Sequence, residues 1–96
     1  MKFTVWGKMG KTPVRITYDN GKLTGEPIEV VKTVQYVVDA VKSGRRRGIK
    51  IHPCYYYGPD VIDTPHGYKG AIAYVLTSID RWEGELPPRG LGLRLR

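Results

Sequence analysis

Apolar positions recur along this chain with two different periods, and the changes between them divide it into elements. Between Pro27 and Gly44, the valines Val30, Val31, Val34, Val37, Val38 and Val41 fall on one narrow stripe at about 100° per residue, with Lys32, Gln35, Asp39 and Ser43 opposite. That spacing predicts an amphipathic helix over 27–43. Pro27 suits a first turn that needs no backbone donor, Glu29 and Lys42 complement the two poles of the helix dipole, and Gly44 supplies a left-handed stop.

Upstream of the helix the period is two. Phe3 and Val5 alternate with Thr4 and Trp6, and Val14, Ile16 and Tyr18 alternate with polar neighbours, so strands are predicted at 2–7 and 13–19. Asn20-Gly21 is a two-residue hairpin signal because both residues accept positive φ. It would pair Asp19 with Lys22 and Tyr18 with Leu23 on a short return strand over 22–25. Lys8-Met9-Gly10-Lys11-Thr12 shares its ending with a phosphate-binding loop. Val5, however, stands where the first glycine belongs, and a strand follows instead of a helix, so the segment reads as a strand connection.

Downstream, Ile49 and Ile51 alternate with Lys50 and His52, which predicts a strand through 48–57. Pro53, lacking a ladder donor, makes it an edge or bulged strand. Gly58 to Gly70 reads as a loop. Tyr68, Ala71, Ile72, Val75, Leu76, Ile79 and Trp82 share one helical face, which predicts a second helix over 71–82; the continuous apolar run from Ala71 to Leu76 also fits a strand. Leu91, Leu93 and Leu95 alternate within 86–96, which is either an edge strand or a frayed tail. The expectation is a small two-layer α+β domain, its mainly antiparallel sheet packed by the helix over 27–43.

Composition changes the picture in three ways. Ninety-six residues, 41% hydrophobic and 26% charged, are enough for one globular domain over 1–96 with a single modest core, and argue against disorder. The single cysteine, Cys54, excludes an internal disulfide framework. Met1 to Pro13 contains no apolar run long enough for a signal peptide or a membrane span, so a cytoplasmic protein with no membrane partner is expected.

Third, the net charge of +7 is concentrated. Residues 42–50 hold Lys42, Arg45, Arg46, Arg47 and Lys50 and no acid, whereas 51–85 is net acidic. One or two arginines suffice to compensate the negative pole of a helix, and the third is surplus. Guanidinium groups make planar, bidentate contacts with phosphate, and tyrosine rings close by can stack on bases. A nucleic-acid site is therefore predicted at Lys42, Arg45, Arg46, Arg47, Lys50, Tyr55 and Tyr57. On a strand Tyr56 points away from Tyr55 and Tyr57, so only one set can face a ligand.

The expected function is non-enzymatic binding of an RNA or DNA backbone, or of another polyanion. The alternative is a protein-interaction or homo-oligomeric assembly subunit using tyrosines and the leucine-rich tail. A third reading is a metal-independent ribonuclease-like enzyme, with His52, His66 and Tyr55 to Tyr57 handling protons and the arginines stabilising phosphorane charge. His52, Cys54 and His66, near Asp60 and Asp63, are metal-ligating types without the paired short spacing of a zinc site, so no metal or cofactor is expected.

Overall fold

Two tight hairpins in succession organise the main sheet. The computed structural model describes residues 1–85. Strands β1 (Lys2–Met9) and β2 (Thr12–Asp19) pair antiparallel from Lys2 opposite Asp19 to Met9 opposite Thr12. Gly10, at φ +65°, and Lys11 form the turn between them, in the segment that ends like a phosphate-binding loop. β3 (Lys22–Glu26) returns through Asn20 and Gly21, whose φ values of 49° and 94° match the turn chemistry, and the register is the expected Asp19 with Lys22 and Tyr18 with Leu23.

Helix α1 (Ile28–Lys42) follows directly. The Pro27 carbonyl accepts from the Val30 and Val31 amides at 3.1 and 3.4 Å, and all six valines of the stripe are buried. At the other end Gly44 adopts φ +83° and donates its amide to the Val41 carbonyl at 3.2 Å. The Arg46 amide then reaches back to the Ala40 carbonyl at 3.1 Å, which folds the arginine segment against the end of the helix.

The next two elements depart from expectation. Residues 48–57 do not add a strand to the main sheet. β4 (Ile49–His52) and β5 (Tyr55–Tyr57) form a separate two-stranded hairpin, with Pro53-Cys54 as its turn. The proline that would weaken a continuous strand instead marks where the chain reverses.

The second helix is α2 (Pro65–Val75), not 71–82, and β6 (Ser78–Gly84) occupies the remainder. It starts early because the Thr64 hydroxyl accepts the Gly67 amide at 3.1 Å and Pro65 takes the first turn, a capping pair hidden in a glycine- and proline-rich stretch. Gly67 is buried there because a Cβ would lie 2.1 Å from the Val61 carbonyl oxygen. Ile79 and Trp82 imitate helical spacing because β6 carries an irregularity opposite Trp6 and Gly7. Gly7 pairs with Ile79 and Val5 with Trp82, so an interval of two on β1 faces three on β6 and both side chains point inward.

The main sheet has the order β3-β2-β1-β6, with β6 at its edge. Phe3, Val5, Val14, Ile16 and Tyr18 line the inner face, against the valine stripe and the buried side of α2. Rings form a row through this core: Trp82 on Phe3 at 4.7 Å, Phe3 on Tyr18 at 5.0 Å, and Tyr18 on Tyr68 at 4.8 Å. Among the described residues no helix is long and apolar enough to cross a membrane. Residues 86–96, with their expected edge strand or tail, lie outside the described residues.

Candidate nucleic-acid interface

The loop after α1 places three consecutive arginines on the surface, and each meets a tyrosine from a different element. Arg45 donates through Nε to the Ser43 hydroxyl at 3.0 Å and lies 5.6 Å from the centre of the Tyr36 ring on α1. Arg46 donates through Nε to the Gly48 carbonyl at 3.2 Å, and its guanidinium lies 4.9 Å over the Tyr74 ring of α2, bonding to the Tyr74 hydroxyl. The Arg47 carbonyl accepts the Tyr56 hydroxyl of β5 at 2.8 Å. Tyr36, Tyr56 and Tyr74 are 63%, 58% and 41% exposed.

Two glycines hold Tyr56 in place. A Cβ on Gly48 would sit 2.6 Å from the Tyr56 hydroxyl oxygen, and one on Gly58 would sit 3.2 Å from the ring. The ring therefore lies across bare backbone, with its hydroxyl tied down and its outer side in solvent. Lys50 is its cross-strand partner.

The remaining predicted site residues are placed differently. Lys42 forms an ion pair with Asp63 at 3.3 Å, which ties the end of α1 to the loop before α2. Tyr57 packs against the core, its ring filling the space beside Gly70, where a Cβ would lie 2.6 Å from it. Burial, with the neighbouring Tyr55 second, pushes the Tyr57 phenol above its ordinary value. Tyr55 is half-buried and tilted against His52 at 5.7 Å. The structure thus pairs Arg45 with Tyr36, Arg46 with Tyr74, and both the Arg47 carbonyl and Lys50 with Tyr56, and turns Tyr55 and Tyr57 to the other side of the hairpin.

Tyr36 and Tyr74 were legible only indirectly. Each lies outside the apolar stripe of its helix, where an aromatic ring has no packing reason to be. No spacing rule connects residues 36 and 74 to an arginine run between them.

Charge density sets this loop apart, since residues 42–50 hold five cations and no acid. Among the described residues the ion pairs are Arg15–Glu26, Lys42–Asp63 and Arg81–Glu83, and none includes Arg45, Arg46, Arg47 or Lys50. The outer face of the main sheet is the contrast. Trp6 stands between Arg15 and Arg81, with the Arg81 guanidinium 4.6 Å over its ring, but both arginines are bonded to carboxylates. Lys69, buried on α2, lies 5.4 Å over the Trp82 ring, and burial pulls its ammonium below the ordinary lysine value.

The His52 Nδ1 accepts the Cys54 amide at 3.2 Å across the turn, and His66 is exposed at the start of α2. Among the described residues no three His, Cys, Asp or Glu side chains come together as metal ligands would. No protein-family model, curated protein or solved structure matches this chain.

Proposed function

We propose that this protein is a non-enzymatic nucleic-acid-binding module whose Arg45, Arg46, Arg47 and Lys50 contact phosphates. One observation carries the reading: residues 42–50 hold five cations and no acid, and among the described residues Arg45, Arg46, Arg47 and Lys50 take part in no ion pair, a freedom shared elsewhere only by scattered lysines such as Lys2, Lys8, Lys11, Lys22 and Lys32. A polyanion can engage such groups without first displacing a carboxylate. Tyrosine rings under Arg45 and Arg46 restrict the guanidinium planes before any ligand arrives, which lowers the ordering cost of a bidentate phosphate contact. Lys42, held by Asp63, and Tyr57, packed on α2, support the loop and hairpin from behind.

The test is the R45A/R46A/R47A triple variant on a polyanion column. The variant is expected to lose most of its retention while keeping its circular dichroism spectrum. Unchanged retention would remove the arginines from the binding surface. An assembly interface of apolar type is separated by salt, since phosphate-dominated binding weakens steadily as salt rises and apolar association persists.

A further inference from the structure

Which form of nucleic acid suits this loop follows from the rings around it, and the inference rests on reading the loop as a phosphate contact. We propose that the ligand is single-stranded and that Tyr56 is the platform on which an unpaired base stacks, with phosphates on Lys50 and the arginines. In a duplex the flat faces of the bases are covered by their neighbours, and a protein reaches only groove edges and backbone. A solvent-facing ring is useful to nucleic acid where bases are unstacked.

Tyr56 has the attributes of such a platform. More than half of it is exposed although it sits within a strand. Gly48 and Gly58 leave bare backbone beneath it, and its hydroxyl donates to the Arg47 carbonyl, so its inner side is supported and its orientation is fixed. Gly48 itself has φ +158°, a conformation that side-chain-bearing residues rarely adopt. Lys50 stands directly across the hairpin from the ring, and the hydroxyl bond to the Arg47 carbonyl anchors the ring to the backbone of the arginine run, so cationic residues lie beside the stacked base. Arg45 and Arg46, held over Tyr36 and Tyr74, offer phosphate contacts to neighbouring nucleotides.

The experiment measures fluorescence anisotropy of a labelled oligothymidine, an oligouridine and a hairpin duplex of matched phosphate number, at one low salt concentration. Wild type is expected to bind one or both single strands at least about tenfold more tightly than the duplex. Tyr56→Leu, which keeps an apolar side chain but has no ring, should weaken single-strand binding roughly tenfold and leave duplex binding unchanged. Tyr56→Phe, which keeps the ring and loses the hydroxyl, should retain single-strand preference. The R45A/R46A/R47A variant should weaken both classes together. Equal affinity for single strand and duplex, or single-strand affinity untouched by Tyr56→Leu, overturns the single-strand assignment and leaves the phosphate contact standing. Binding to none of the probes overturns both.

Discussion

Rings are used in two opposite ways in this molecule. Inside, Trp82, Phe3, Tyr18 and Tyr68 stack on one another between the sheet and the helices. Outside, Tyr36, Tyr56 and Tyr74 meet arginine residues and leave much of their surface in water. The same side chain, tyrosine, appears in both sets, so residue type does not decide the role. Position does: Tyr18 and Tyr68 continue apolar faces, while Tyr36 and Tyr74 lie outside them. The interior row supplies cohesion to a small core, and the exterior set supplies orientation to charged groups that have no carboxylate partner.

Substitutions that respect this division should separate stability from binding. The largest effect is expected for Phe3→Ala, which empties the middle of the interior row at a site 1% exposed. It should cost ~3–5 kcal/mol in urea unfolding. Polyanion retention should persist under conditions where the variant remains folded. Loss of retention by a folded Phe3→Ala protein would mean that the two sets of rings are coupled.

Gly48→Ala should join the two properties. The added Cβ meets the Tyr56 hydroxyl and the Tyr57 carbonyl, both at 2.6 Å, in a strained backbone conformation, so a cost of ~1–3 kcal/mol is expected together with weaker single-strand binding. The R45A/R46A/R47A variant should do the reverse of Phe3→Ala. Its stability should change by no more than ~1–2 kcal/mol, the combined size of two exposed cation–π contacts, while binding falls sharply.

The smallest effect concerns Tyr57, which lies between the two environments. Its phenol is raised above the ordinary 10.0 by burial, so the folded chain holds that proton more tightly than the unfolded one. The associated stability is whole below pH 10 and is lost as pH rises through the folded value. Tyr57→Phe should therefore match wild type near neutrality and gain on it above pH 10, as read by urea midpoints. A parallel alkaline decline in both proteins would place the titration elsewhere.

Much of the fold was legible because local signals agreed with the tertiary outcome. The valine stripe, the Asn20-Gly21 turn and the alternation in β1 and β2 each specify one conformation. Expectation and structure differ where two elements share an ambiguous signal. The irregularity in β6 set Ile79 and Trp82 three apart on one face, as a helix would, and the Thr64-Pro65 cap was masked by glycines whose purpose is close packing against Val61, Ile62 and Tyr57. The strand expected over 48–57 turned into a hairpin at Pro53, since a missing donor is also tolerated in a turn. For the candidate site, the cation cluster was visible in the composition of residues 42–50. Its rings were not: Tyr36 and Tyr74 reach it through the packing of α1 and α2, and the facing set of the Tyr55 to Tyr57 segment depends on which side of the hairpin lies on α2.

If the cations at the end of α1 answer to phosphate, oligonucleotide affinity must fall with salt in proportion to their number. With about 0.7 counterions released per single-strand phosphate, four engaged cations predict a log–log slope near −3 for wild type, falling to about −1 or less in magnitude when Arg45, Arg46 and Arg47 are replaced. A flat wild-type response, or an unaltered slope in the triple variant, would contradict phosphate contact by these cations.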